Sequence, residues 1–250
     1  MAEKIDSSAP LAGRLAVVTG ASSGVGQAIA LALARQGAEL CVMGRNSNAL
    51  AEMVSVAQQF SAATAFPVDL TKEEKFDTLF RHIEERAGGL DILVHCAGVI
   101  HQDLMECARI EDLDSQYATN VRAPYLLSQR LLPALVKARG QIVFINSSVG
   151  IAVRRPEVGQ YAATKHALRA IADSLREEVN PKGIRVLTLY LGRTATPMQE
   201  ALFQQEGREY RPETLLQPED VASVVAHSLM LPRTAEVTEI SIRPMTKSQS

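Results

Sequence analysis

The sequence predicts an α/β protein: a doubly wound, mainly parallel sheet of about seven strands with helices on both faces. Two observations carry this. Short β-branched runs alternate with long amphipathic stretches along nearly the whole chain, which is the pattern of βαβ units. The strand runs are also continuously apolar, as burial on both faces of a sheet requires. The 250 residues contain no Gly/Ser-rich linker, no low-complexity block and no repeat beyond this rhythm. One domain over residues 1–250 is therefore the expectation.

The elements follow in order. Leu15–Thr19 reads as a buried strand, and Gly24–Gln36 as a helix that Gly37 ends. Glu39–Met43 is a second strand. Asn46–Gln59 is helical, with Asn46 or Ser47 as its N-cap. Ala65–Val68 is a third strand. Thr71 is expected to cap a helix over Lys72–Ala87, with Glu74 completing a capping box. Asp91–Cys96 is a fourth strand. One long helix is expected over Asp112–Ala138, with possible kinks at Pro124 and Pro133. Gln141–Asn146, Gly159–Val179 and Ile184–Tyr190 read as strand, helix and strand. After Leu191 the rhythm loosens, leaving a short amphipathic piece at Met198–Glu206. Pro218 opens a helix to Met230, since proline suits a first helical turn, and Val237–Ile242 is a last strand.

Composition excludes several classes of function. Charged residues are 22% and hydrophobic residues 46%, and 26 basic against 28 acidic residues leave a net charge of −2. The longest basic cluster is Arg154–Arg155. Nucleic acid and anionic membranes are therefore not expected partners. The apolar run Ala28–Ala34 is far too short for a membrane span, and Met1–Pro10 lacks the apolar core of a secretory leader. Cys41, Cys96 and Cys107 have no metal-ligand spacing, so no metal is expected. Cys41 and Cys96 fall in apolar runs and are expected to be buried thiols. A reducing cytoplasm fits.

Two constellations carry chemistry. Thr19-Gly20-Ala21-Ser22-Ser23-Gly24-Val25-Gly26 lies between the first strand and the first helix. Glycines there let a pyrophosphate approach backbone N–H groups that a Cβ would screen. The helix N-terminus adds unpaired donors and partial positive charge. The plainer alternative is a turn that merely prefers glycine. The second constellation is Ser147-Ser148 after the fifth strand, followed by Tyr161 and Lys165 four apart on one helix face. An ammonium beside a phenol is expected to lower the tyrosine pKa toward useful acid–base work.

The spacing G-x-x-x-G-x-G after threonine, with the downstream Ser-Ser and Y-x-x-x-K, resembles the short-chain dehydrogenase/reductase family. The resemblance runs from about Gly13 to Pro244. It implies a single Rossmann-type domain, a nicotinamide cofactor and a Ser-Tyr-Lys catalytic group. Ser148 stands thirteen residues before Tyr161, the family's interval, and is chosen over Ser147. Asn120 matches an asparagine that relatives place in a proton relay; solvent exposure is its alternative. The implied mechanism is hydride transfer from NADPH to a carbonyl carbon. Tyr161 protonates the oxygen, and Lys165, Asn120 and water resupply the proton.

The resemblance also assigns the cofactor residues. Gly20, Ser22, Ser23, Gly24, Val25 and Gly26 hold the pyrophosphate. After the second strand there is no carboxylate for a ribose hydroxyl; Gly44 leaves room, and Arg45 with Ser22, Asn46 and Ser47 favours the 2′-phosphate of NADP(H). The alternative for Arg45 is an ordinary surface arginine. Asp69 and Leu70 meet the adenine side, although Asp69 could be a plain helix-cap residue. Ala97 and Gly98 approach the cofactor closely, Tyr161 and Lys165 grip it, and Gly192, Thr194 and Thr196 line the carboxamide loop.

The chain departs from the family pattern at three places. His95-Cys96 replaces a pair of asparagines, and Leu191 replaces a proline. His95 reads as a hydrogen-bonded structural histidine. The expected layout is an N-terminal arm over 1–12, a cofactor-binding and catalytic core over 13–190, a substrate loop over 191–217 and a frayed tail over 245–250. Arg154 and Arg155 are expected to face solvent, with a substrate carboxylate as the alternative partner. The helices carrying Asn120 and Tyr161 are apolar on more than one face, which predicts a homotetramer, with a homodimer next. The leading function is an NADP(H)-dependent oxidoreductase acting on a small carbonyl or secondary alcohol. The alternative is a catalytically silent NADPH-binding regulator.

Overall fold

Leu15–Thr19 is buried at every position and forms the first strand, β1. It belongs to a computed structural model that describes residues 9–246, so residues 1–8 of the expected arm and 247–250 of the expected tail lie outside the described residues. Six further strands follow: β2 (Glu39–Gly44), β3 (Ala63–Pro67), β4 (Ile92–His95), β5 (Gln141–Ser147), β6 (Arg185–Leu191) and β7 (Glu239–Ile242). They make one seven-stranded sheet in the order β3-β2-β1-β4-β5-β6-β7. Every pairing is parallel.

Alternate side chains of each buried strand feed two different cores. Ala16 and Val18 pack with α1 (Gly24–Arg35), α2 (Ser47–Ala57) and α8 (Pro218–Leu229). Leu15 and Val17 pack with α3 (Asp77–Glu84), α5 (Ala123–Ala138) and α6 (Gly159–Val179). That is why the strand sequences are apolar throughout. The chain winds outward from β1 through β2 to β3, then returns to the other side of β1 at β4. Such a reversal opens a crevice at the carboxyl ends of the strands, where α/β sheets bind ligands.

Two expected helices take a different form. The stretch over Lys72–Ala87 is a single 3-10 turn, Glu73–Lys75, followed by α3. Thr71 does not cap it: the turn starts from Lys72 with no side-chain cap, and the Thr71 N–H and hydroxyl both donate to Asp69 Oδ1 at 2.9 Å. The stretch over Asp112–Ala138 divides into α4 (Ile110–Tyr117), a π-helical turn over Ala118–Arg122, and α5. Pro124 stands just past the π turn, so the hydrogen bond that its missing N–H cannot make falls where the helix is already widened. Past β6 the segment is held by α7 (Pro197–Gln205) and by a bridge between Thr194 and Leu216. No described helix is long and apolar enough to cross a membrane.

Candidate active site

The glycine turn after β1 is built for close approach. Gly20 and Gly24 hold positive φ, 69° and 55°. A Cβ on Gly20 would stand 2.8 Å from the Ala97 backbone, and one on Gly26 would stand 2.3 Å from the Gly20 carbonyl oxygen. Ser23 is the N-cap of α1 but makes no side-chain cap, and no acidic residue lies in the first turn. The N-terminal donors of α1, at Gly24, Val25 and Gly26, are thus left for an incoming anion. Thr19 braces the turn from below: its hydroxyl donates to the Val94 carbonyl and accepts from the Cys96 and Ala97 N–H groups. This fixes the loop after β4 that carries Ala97 and Gly98.

At the end of β2, a Cβ on Gly44 would lie 3.3 Å from the Ser22 hydroxyl, so Ser22 overhangs the space that glycine leaves. Arg45 is exposed beside it, and its charge reaches Asp69. The Asp69 carboxyl is held below its usual range first by the Thr71 N–H, then by other neighbours including Arg45. Asn46 spends its side-chain oxygen on the Ala49 N–H as the cap of α2. Leu70 is buried beneath this end of the sheet.

The catalytic candidates converge at the carboxyl ends of β4, β5 and β6. Asn120 sits in the π turn, buried. Its Oδ1 accepts from the Val99 N–H, and its Nδ2 donates to the Val99 carbonyl at 2.9 Å and to Thr164 Oγ1 at 3.1 Å. It therefore ties the β4 loop to α6 and is not solvent-exposed. π turns of this kind recur at functional sites. Gly98 lies against the same group: a Cβ there would be 3.3 Å from Asn120 Oδ1 and 4.0 Å from Lys165 Nζ. Asn146 staples β5 to α6 by donating to the Lys165 carbonyl at 3.0 Å.

Lys165 is buried, and its Nζ donates to the Ile145 carbonyl at 3.2 Å while lying 5.7 Å from the Tyr161 ring centre. Burial brings its pKa down to about 8. Tyr161 moves the other way, up to about 12, because burial outweighs a hydrogen bond from the Ser147 side chain that favours the phenolate. The expectation of a lowered tyrosine pKa is thereby corrected. Desolvation acts on both groups and weakens the ammonium that was to stabilise the phenolate.

Ser147 is the last residue of β5; its hydroxyl accepts from the Val149 N–H at 3.4 Å, and its side chain acts on Tyr161 in favour of the phenolate. Ser148, which the family interval selects, opens a 3-10 turn and is exposed. β5 runs one residue beyond its apolar pattern, so the strand end falls on Ser147. The sequence reading also missed the positioning residues Thr19, Asn146 and Thr164, whose partners lie far along the chain.

The loop after β6 leans over the glycine turn. A Cβ on Gly24 would lie 3.0 Å from the Thr196 methyl group. Thr196 caps α7 by accepting from the Gln199 N–H, and the Thr194 hydroxyl donates to the Gly192 carbonyl. Gly192 lies under Pro244, with 2.9 Å to a Cβ built there. His95 is buried, stacked on Phe144 at 4.8 Å and hydrogen-bonded to Ser128 Oγ at 2.8 Å. Burial pushes its pKa down to about 3, so it stays neutral and structural. Cys41 is buried, Cys96 half-buried and Cys107 exposed. Arg154 is exposed, but Arg155 does not simply face solvent: it pairs with Glu206 at 2.8 Å.

Comparison with known proteins agrees with this geometry. The short chain dehydrogenase family profile matches residues 14–207. A Staphylococcus aureus protein described only as an uncharacterized oxidoreductase is 30% identical over 236 residues, covering 94% of this chain and 99% of its own. Among solved structures, an alcohol dehydrogenase from the archaeon Thermococcus sibiricus, complexed with 5-hydroxy-NADP, superposes with a TM-score of 0.83 at 27% identity. It covers 95% of this chain and 99% of its own. A short chain dehydrogenase of Shigella flexneri, complexed with NADP, also gives 0.83 at 29% identity, with coverage of 94% and 98%. A seven-stranded parallel sheet with this crevice, matched over most of its length by these proteins, is that of an oxidoreductase, and the chain belongs to the short-chain dehydrogenase family.

Proposed function

We propose that this protein is an NADP(H)-dependent oxidoreductase that moves a hydride between the nicotinamide and a carbonyl or secondary alcohol carbon. The observation that carries the reading is the placing of Lys165 Nζ on the Ile145 carbonyl, 5.7 Å from the Tyr161 ring, at the edge of β5 that ends in Ser147. The cofactor reading rests on the cradle: Gly20, Gly24 and Gly26, where a Cβ would collide, and the uncapped start of α1. Gly44, Ser22 and Arg45 suit a 2′-phosphate, and the 5-hydroxy-NADP of the T. sibiricus protein and the NADP of the S. flexneri protein support the same choice.

When bound, the cofactor supplies or accepts the hydride; the remaining steps belong to the chain. Ser147 and Tyr161 hydrogen-bond the substrate oxygen and fix the carbonyl. Tyr161, a neutral phenol at working pH, gives its proton to that oxygen as it gains charge. Lys165, with a pKa of about 8, is poised near neutrality to resupply the proton. Asn120 spends its amide on Val99 and Thr164, so its part is to hold the loop and helix in register. Assembly belongs to the same proposal: Ile110, Tyr117, Tyr125 and Val136 leave apolar surface exposed on α4 and α5, which suits a homotetramer.

The test of the cofactor reading is Arg45→Ala. Without the guanidinium, the phosphate forfeits a charge-assisted hydrogen bond, which lowers NADPH affinity by about 10- to 100-fold and leaves NADH affinity nearly unchanged. Fluorescence titration of both cofactors measures this. Equal losses would overturn it.

A further inference from the structure

Among the described residues, the carboxylate contacted by the most cations is Glu206, at the end of α7. Arg155 Nη1 donates to its Oε1 at 2.8 Å, Arg193 Nη2 to both oxygens at 2.8 and 2.9 Å, and Arg208 Nη1 to Oε2 at 3.4 Å. Arg155 also donates through Nη2 to Gln102 Oε1 at 2.8 Å. The guanidiniums of Arg193 and Arg208 both lie over the Phe203 ring, 4.8 and 5.2 Å from its centre. The cluster joins three loops that leave the carboxyl edge of the sheet: Gln102 follows β4, Arg155 follows β5, and Arg193 and Glu206 follow β6. Ser147 pairs with Leu191 in the sheet, so Arg193 leaves it beside the residue that meets Tyr161.

Arg155 and Arg193 bring two positive charges to the one carboxylate of Glu206. More telling, two donors in the cluster lack an acceptor. Arg193 Nη1 and Gln102 Nε2 are both buried without a hydrogen-bond partner. The amide of Gln102 cannot be turned to relieve this, because Arg155, a donor only, must face its oxygen. Buried donors are ordinarily paired, and leaving them open is costly. Two open donors from two separate loops, joined through the Arg155–Glu206 pair, suit an oxyanion as acceptor.

We infer that the substrate carries a carboxylate in addition to its reacting carbonyl, held by Arg193 Nη1 and Gln102 Nε2 beside Arg155. This deepens the oxidoreductase reading and rests on it for the identity of the reacting group. Arg155 and Glu206 then set the geometry of the subsite rather than neutralising it, since Glu206 occupies only part of the cationic surface. A neutral substrate would leave both donors open.

The test uses three keto acids with the carboxylate at different distances from the ketone (pyruvate, acetoacetate and levulinate), each beside its methyl ester. Calorimetric titration of the protein loaded with NADP+ measures binding without turnover. The expected result is that at least one acid binds about tenfold or more tightly than its ester. Arg193→Gln and Gln102→Leu should each abolish that preference while keeping NADPH affinity within about twofold, the affinity serving as the check on folding. Gln102→Leu leaves the Arg155–Glu206–Arg193 pairs in place while removing both the open amide donor and the acceptor of Arg155 Nη2. Esters that bind as tightly as their acids throughout, no binding by any acid, or a preference that survives both substitutions would each overturn the inference. NADPH oxidation in the same samples separates the two readings. Acids bound but never reduced would remove the reductase reading and keep the subsite. Esters reduced as readily as acids would do the reverse.

Discussion

Tyr161 and Lys165 depart from their ordinary pKa values in opposite directions, to about 12 and about 8, and burial is the leading cause of both. Desolvation disfavours whichever form is charged, so it keeps the phenol protonated and loosens the proton on the ammonium. A protonated phenol is what carbonyl reduction needs at the oxygen. The residue pair was legible in the sequence as Y-x-x-x-K, but its electrostatics were not, because burial depends on strands and helices far away in the chain. Two adjacent serines at the end of β5, Ser147 and Ser148, compete for the place at the substrate oxygen. Ser147 ends β5 against Tyr161, whereas Ser148 is exposed. Ser147→Ala should lower kcat/KM by about 100-fold, the scale of removing an oxygen-binding donor, and Ser148→Ala by no more than about threefold. Steady-state kinetics on any reduced carbonyl decides it, and the opposite order would return the role to Ser148.

The π turn at Ala118–Arg122 is the element on which the site hinges. It divides what reads as one helix over Asp112–Ala138. A hydrophobic period of 3.6 residues continues through a single widened turn with little change, so the break is invisible in the pattern. The turn places Asn120 inward, where it closes both hydrogen bonds of Val99 and reaches Thr164. Asn120→Ala leaves the half-buried N–H and carbonyl of Val99 without these partners and should cost about 1 kcal/mol or more of folding stability. Urea unfolding followed by circular dichroism measures this; an unchanged midpoint would show that Val99 finds its partners elsewhere. The helix expected over Lys72–Ala87 failed for a related reason. Thr71 could have accepted from an N–H of the next turn, but its N–H and hydroxyl instead turn back to donate to Asp69, a local bond that a capping pattern does not encode.

For the whole molecule, the doubly wound sheet was readable because each strand must feed two cores, and that demand leaves continuous apolar runs in the sequence. The position of the crevice followed from the strand order. Pairings between loops were not readable: Arg155 and Glu206 are 51 residues apart, and nothing local in either segment announces the pair. The exposed apolar residues of α4 and α5 bear on assembly. Light scattering should give the mass of a tetramer at working concentration, and the mass of a single chain would contradict the proposed assembly. The central claim is chemical, and Tyr161→Phe addresses it most directly. NADPH oxidation is followed for the native protein and the variant across a panel of aldehydes, ketones and keto acids, with NADPH binding measured beside it. The account predicts turnover by the native protein, loss of about 1,000-fold or more in the variant, and NADPH affinity retained within a few-fold. Near-native turnover by Tyr161→Phe would contradict it.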